Sequence, residues 1–554
     1  MIETAPSNKS NRFEIIALII IATAAFIYFT GGAILNPINV KWLYWGDPSM
    51  NYLGWQFLRD TPLFQFPIGS LPNFGKGFSA SIMHTDSVPL IALPLKLISP
   101  LLPDQFQYFG AWIYASFIFQ GYFAWKILKR SITQPAVRVI ASSLFLVSPI
   151  FLYRLVHDGS GHISLFAQFL LLWAIDLYLD KDISFRKLLT VLSISILTMP
   201  VLFAMVAVII VCSQFMRGRK SSFKVRLQLT SRLVLAILLN LFLFYIFGGF
   251  MVKDTGAGGM GVYRSTFTSL FDSAPNNSFA WSFLVPNIAD TAGSHEGFAY
   301  LGLASLLLIP FAPLSLKNKA LRSERLQLFT LSLAMALFAL STNVGIGNRE
   351  LFSYSTPNFL APIFETFRSS GRFTWPLVYL LLLEGVCGLY ITFQGRLPKR
   401  VLATVFASLL LLQLVDMRSA SSEIRERFTE SGFTASLTDP KWNELAKQYK
   451  HLAAVPPLNN DPGWFELALL ADKWHMTSNA AYYGRIDENR LVSENDRLQT
   501  VLNEQQFDSN TLYVITNYPP NPALPILLDQ FQDVAANSPG THVYELDGFV
   551  VVAP

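Results

Sequence analysis

The chain has 554 residues, 52% hydrophobic and only 14% charged, with a mean hydropathy of +0.39. These values exclude an ordinary soluble domain and indicate a multi-pass membrane protein. The net charge of +5 is split, with −8 from Arg418 onward and +13 before it. The basic excess therefore belongs to the membrane portion, where it sets orientation, and is no nucleic-acid patch.

A polar, weakly basic stretch from Met1 to Arg12 precedes an apolar run at 13–33, long enough to cross a bilayer. No small-residue cleavage site follows, so it reads as an uncleaved span. Further spans are expected at 106–128, 138–155, 163–180, 188–199, 200–216, 226–248, 298–316, 326–343, 373–394 and 400–417. The region 188–216 has basic residues at both ends and is broken at Met199-Pro200, so it reads as a hairpin of two short helices. That makes eleven crossings. The run 88–103 is short and interrupted by proline, and is expected to be interfacial or re-entrant. Cys212 and Cys387 both fall inside apolar runs, which leaves neither a disulfide framework nor a zinc-ribbon spacing.

The positive-inside rule orients this array. The loops 1–13, 126–138, 180–187, 217–226, 317–325 and 395–400 hold 21 Lys and Arg in 59 residues, whereas 34–105, 154–162, 251–297 and 344–372 hold 10 in 157. The N-terminus is therefore expected in the cytoplasm, and an odd number of spans puts the acidic C-terminal region outside. The cytoplasmic loops leave no room for a nucleotide-binding domain. The long exterior loops are the natural place for function, because long structureless connections are uncommon.

The first exterior loop opens on Trp45-Gly46-Asp47-Pro48-Ser49-Met50-Asn51-Tyr52, at the start of an amphipathic segment. A carboxylate there is close enough to lipid to be partly desolvated, yet a polar acceptor can reach it. The plainer reading of Asp47 is a helix cap in a Gly-Asp-Pro turn. His84, Asp86 and Lys76 follow in the same loop and could line the same cavity. The loop Arg154 to His162 brings together His157, Asp158 and His162, whose spacing suits a divalent metal, an acceptor sugar, or a polar cap over two helix ends. His295 and Glu296 pose the same choice in 251–297. The residues name no cofactor, although a divalent cation fits these side chains. Gly256 to Gly261 lacks the Lys-Ser/Thr of a phosphate loop and reads as a hinge. Asp176 and Glu384 lie within spans, where a buried acid suggests a relay, but two isolated acids make a weak case for transport.

In Phe367-Arg368-Ser369-Ser370-Gly371-Arg372-Phe373, two arginines flank Ser-Ser-Gly at an exterior span mouth. Arg368 and Arg372 there run against the orientation rule. Guanidinium groups bind phosphate with paired donors, and Ser369 and Ser370 can add hydroxyls. The alternative is snorkelling at a helix end.

The tail changes texture. Helices are expected from Lys441 through Lys450, from Glu494 to Asn503 and from Leu524 to Asp533. Leu452 to Val455 is a short apolar run, Leu512 to Ile515 a buried strand, and Val543 to Val552 a closing hairpin around Asp547-Gly548. The expected fold is thus mainly α, a polytopic helical bundle over 1–417, with a small exterior α/β domain over 418–554. The tail contains no nucleophile motif, and reads as a lid or docking module.

With these residues in view, the chain resembles the GT-C superfamily of integral-membrane glycosyltransferases. The stretches Gly46-Asp47 with Gly54-Trp55, Thr85-Asp86-Ser87-Val88-Pro89-Leu90, Phe119-Gln120-Gly121-Tyr122 and Phe367 to Phe373 look like a bacterial multi-pass family of unknown function within it. The resemblance implies that Asp47 is the first-loop catalytic acid and that the arginine motif serves the donor's phosphate. It also implies a polyprenyl-phosphate-sugar donor, a glycan, lipid or protein acceptor, and a bacterial plasma-membrane location. The first loop lacks a paired Asp-x-Asp or Glu-x-Asp, which leaves metal dependence open. The rival functions are a lipid-linked saccharide transporter or flippase, a polysaccharide polymerase or ligase, and a scaffold whose tail recruits partners.

Overall fold

The computed structural model describes residues 8–156, 161–180, 182–219, 221–253, 259–274, 279–288, 293–357, 359, 365–429, 433–504, 506–516 and 540–554. The fold is mainly helical. Each of the eleven apolar stretches carries helix. Among the described residues, four helices are long and apolar enough to cross a membrane: Asn11–Thr30, Pro200–Arg219, Phe223–Ile246 and Ser370–Phe393. Two bent pairs raise the number to six: Pro135–Leu146 with Pro149–Leu155, at 44°, and Lys399–Asp416 with Arg418–Thr429, at 63°. Ser164–Leu179 and Leu303–Lys317 are shorter apolar helices. The helix Phe185–Thr198 ends where Met199-Pro200 breaks the run, since proline supplies no N–H to continue it but suits the first position of the next helix.

The chain forms two compact units that do not follow chain order. The first comprises Met1–Trp42, Gln107–Asn240 and Gly258–Ser431; the second comprises Leu43–Phe106, Leu241–Ala257 and Gly432–Pro554. The first loop thus packs with the tail.

In the helical unit, 78% of the apolar window of Ser370–Phe393 is buried, which makes that helix central. Buried charges here come in pairs. Arg138 clasps Glu14 at 2.8 and 2.6 Å, and Trp125 adds its indole N–H at 2.8 Å. Asp176 meets Lys126 at 2.8 Å and Arg130 at 2.6 Å, and Glu384 meets Arg325 at 3.1 Å. A buried acid is tolerated when a cation faces it at this range, so Asp176 and Glu384 are structural ion pairs. A hairpin that the sequence did not signal, Asn343–Ile346 with Arg349–Ser353, lies in the 344–372 loop.

In the other unit the tail builds a five-stranded mixed sheet. Its order is Thr477–Ser478, His451–Val455, Thr511–Ile515, Phe549–Ala553, His542–Leu546; the first three strands run parallel and the last two pairings are antiparallel. Asp547 and Gly548, both at positive φ, close the expected hairpin. The helix opening at Lys441 is shorter than expected, ending at Ala446, whereas the next expected helix is longer, Glu488–Glu504. Trp464–Lys473 is an additional helix. The expected helix from Leu524 to Asp533 lies outside the described residues. The tail and the first loop are stitched together by backbone bonds, Lys76 N–H to Ser478 O at 2.7 Å and Ser478 N–H to Asn73 O at 2.9 Å. The run 88–103 is a short helix, Pro89–Lys96, followed by a single tight turn at Ser99–Leu101.

Candidate functional site

Asp47 is the first residue of the helix Asp47–Arg59. Gly46 precedes it at φ 58°, a left-handed conformation suited to glycine, and occupies the cap position without a side-chain cap bond. Asp47 therefore does not serve as the cap. Its carboxylate is half-buried, and Oδ1 accepts a hydrogen bond from the Tyr482 hydroxyl at 2.9 Å. The helix behind it is not amphipathic in the folded protein, because every residue from Pro48 to Leu58 is buried. Its side-chain donors are met internally: Asn51 donates to Thr85 O at 2.9 Å, Trp55 to Phe106 O at 3.0 Å, and Gln56 to Asp104 O at 2.8 Å. Such pairing lets polar side chains occupy an interior helix.

A second strand of the same loop is tied to this helix. The Ser87 hydroxyl donates to Asn51 O at 2.7 Å, and the Thr85 and Ser87 hydroxyls meet at 2.8 Å. Gly54 makes the close approach feasible: a Cβ there would stand 2.3 Å from the Thr85 hydroxyl. Between these anchors Asp86 sits at φ 53°, and Val88, a branched residue, at φ 49°. A left-handed β-branched residue is strained and persists only where its surroundings impose it, a condition concentrated at functional sites. His84 lies one turn earlier, its Nδ1 3.1 Å from the Ser81 hydroxyl, and its carbonyl accepts from Gly484 N–H at 3.0 Å. Burial, reinforced by the nearby Arg485 guanidinium, holds the His84 imidazole down at about 4, so it is neutral at neutral pH.

The arginine motif lies in the helical unit. Arg372 engages Glu296 with two nitrogens, Nε to Oε2 at 2.9 Å and Nη2 to Oε1. Arg154 reaches the same carboxylate, Nη1 to Oε2 at 3.1 Å, and its guanidinium lies over the rings of Trp375, at 4.7 Å, and Tyr153, at 5.1 Å. All three charged side chains are buried. Glycine makes the pairing geometrically feasible. A Cβ on Gly371 would come within 2.4 Å of Gly297 Cα, and one on Gly297 within 2.0 Å of Arg264 O. Ser265 then ties the segments, donating to the carbonyls of Gly297 and Gly371 at 3.1 Å each. Among the described residues the cluster brings one carboxylate against two guanidinium groups.

The remaining sequence candidates divide. His162 is buried, with its N–H on Arg154 O at 2.7 Å, and the half-buried His295 ring lies 6.0 Å from Tyr263. Ser370 is buried with its hydroxyl 3.4 Å from Ala339 O, while Ser369 and Arg368 are half-buried. His157 and Asp158 lie outside the described residues, as do 256–258 of the Gly256 to Gly261 stretch. Among the described residues no three His, Cys, Asp or Glu side chains form a metal-holding group.

The domain of unknown function DUF6311 matches residues 19–418, and its C-terminal domain matches 441–554. The chain belongs to the DUF6311 family. No curated protein matches the DUF6311 chain. Its fold is similar to ArnT from Cupriavidus metallidurans in the apo state, at 10% identity and a TM-score of 0.50, over 96% of this chain and 97% of that one. It is also similar to the Archaeoglobus fulgidus oligosaccharyltransferase AglB in complex with an inhibitory peptide and a dolichol-phosphate, at 10% identity and a TM-score of 0.45, over 92% and 70%. The likeness to ArnT shows the fold, and that fold is the GT-C one.

Two residues of the DUF6311 chain escaped sequence reasoning. Tyr482 lies 435 positions from the carboxylate it touches, in a tail without a catalytic motif. Arg154 was visible only as part of its loop, although an arginine beside a span in a loop expected to be exterior was the same signal that singled out Arg372.

Proposed function

We propose that this protein is an inverting glycosyltransferase. It moves a hexosyl or pentosyl unit from a polyprenyl-phosphate donor to a glycan, lipid or protein acceptor on the exterior face of the plasma membrane. The observation that carries the proposal is the half-buried Asp47 carboxylate, held by Tyr482 at the start of the first-loop helix of a GT-C fold. Asp47 takes the proton from an acceptor hydroxyl as that oxygen attacks the anomeric carbon. The bond from that carbon to the phosphate oxygen breaks, and polyprenyl phosphate leaves with the electron pair. General-base help of this kind contributes about 10²–10⁴-fold. Arg372 and Arg368, with Ser369 and Ser370, neutralise the phosphate where negative charge develops. His84, Asp86, His157, Asp158, His162, His295 and Glu296 are the pool from which acceptor contacts, or a divalent cation, are drawn.

A transporter for lipid-linked saccharides is less well supported, since the buried acids Asp176 and Glu384 are consumed in ion pairs. The eleven-span reading, with a cytoplasmic N-terminus and exterior tail, belongs to the same proposal. Impermeant thiol labelling of intact cells tests it: Ser79→Cys should react and Ser323→Cys should not, and the reverse pattern rejects the orientation. The enzymatic reading is tested with Asp47→Asn in reconstituted full-length protein, assayed against synthetic polyprenyl-phosphate pentoses and hexoses with cell-envelope lipid extract as acceptor. The variant should insert normally and transfer no sugar. Transfer near the wild-type rate removes the general-base role.

A further inference from the structure

We propose that Tyr482 of the C-terminal region is a positioning residue for Asp47, so that the tail completes the first-loop site instead of merely covering it. The inference rests on the general-base role of Asp47. The contact itself is direct, with the phenol donating to Oδ1 at 2.9 Å.

Three observations make the contact a built one. The segment carrying Tyr482 is clamped on both sides of it. Strand Ala480–Ala481 pairs in parallel with Leu458–Asn459, and the next residue, Tyr483, is buried, donating its N–H to Asn459 Oδ1 at 2.9 Å and its hydroxyl to Phe74 O at 2.8 Å. Successive side chains of an extended segment face opposite sides, so burying Tyr483 turns Tyr482 the other way. The Tyr482 ring then rests edge-on against Trp464 at 5.6 Å, which fixes its tilt. A neutral phenol sharing its proton with a carboxylate forms a charge-assisted hydrogen bond, stronger than one between neutral groups. The bond to Oδ1 restrains rotation of the Asp47 carboxyl group and so its orientation toward the acceptor hydroxyl. Proton abstraction requires that orientation, because a candidate base must lie within hydrogen-bond reach of the proton it removes.

The test compares Tyr482→Phe with Tyr483→Phe in full-length protein, using the synthetic donors and lipid extract above. Loss of the bond to Asp47 should lower kcat about tenfold to a hundredfold. The apparent KM for donor and acceptor should change little, the pattern of a lost transition-state contribution. Tyr482→His, which keeps a ring N–H donor, should recover part of kcat. Tyr483→Phe keeps the buried ring and the backbone bond to Asn459 that set the segment, loses only a hydroxyl that bonds Phe74 and not Asp47, and should spare kcat.

A second readout needs no substrate. The Asp47 carboxylate stretch, assigned by infrared difference against Asp47→Asn, should move in Tyr482→Phe and not in Tyr483→Phe. Fluorotyrosine placed at 482 preserves the packing, and its more acidic phenol should move the band further, which covers a Phe variant that fails to accumulate. Wild-type kcat in Tyr482→Phe, or a band that ignores fluorination, overturns the inference. Asp47→Asn retaining activity would instead strike the base assignment and leave the band result standing.

Discussion

Arg372 and Glu296 are joined by two nitrogen–oxygen contacts, although they stand 76 positions apart and each is nearly buried. The second cation on that carboxylate, Arg154, lies 142 positions away from Glu296. In the proposed phosphate role, the donor would meet guanidinium groups whose geometry is already set by Glu296. Preorganisation of this kind favours electrostatic stabilisation, because the donors need little rearrangement when charge develops.

Arg372→Gln should weaken use of a synthetic polyprenyl-phosphate sugar by roughly ten- to a hundredfold at fixed acceptor. Arg372→Lys should restore only part, since an ammonium lacks the planar two-pronged donor. Unchanged donor affinity and rate in Arg372→Gln would remove the phosphate role. Glu296→Gln leaves two buried guanidinium groups without their shared anion, a change expected to cost about 3–5 kcal/mol in thermal unfolding. A midpoint equal to wild type would mean that the pair contributes nothing to stability.

The tail has its own pH dependence. Burial, with Asp60 nearby, pushes the Asp472 carboxyl from its usual 3.8 up to about 7. Between those values the folded state binds the proton that the unfolded state has released, so stability contributed by the protonated group falls as pH rises from about 4 to about 7. Asp472→Asn abolishes that titration. The variant should therefore gain on wild type at pH 8 relative to pH 5, by on the order of 1 kcal/mol or about 2–4 °C. Equal gains at both pH values in a melting series would contradict the raised titration.

Gly54 is the contact point between the Asp47 helix and the Thr85 to Ser87 segment. Adding a methyl group places it 2.3 Å from the Thr85 hydroxyl and 2.7 Å from that of Ser87, both buried. Gly54→Ala, although favourable to helix propensity, should destabilise by about 1–3 kcal/mol through overpacking. It should also reduce transfer by displacing Asp86. A more stable variant with full activity would show that the two segments separate easily.

The amino-acid sequence by itself determined the membrane character, the helix positions and the candidacy of Asp47. Each of these is local: an apolar run of sufficient length forms a helix wherever its ends fall, and Met199-Pro200 breaks one because of its own covalent chemistry. Helix existence, however, does not count crossings, and among the described residues four helices, or six with the bent pairs, meet the length and composition needed to span. Tertiary structure decided the rest. Glu296 looked like an acceptor or metal candidate, and became the partner of Arg154 and Arg372 because Gly297 and Gly371 let two backbones approach. Asp47 looked equally like a helix cap until Gly46 took that position and Tyr482 took its Oδ1. Such pairings join residues 76 to 435 positions apart, a property carried by the packed whole and by no local pattern of side chains.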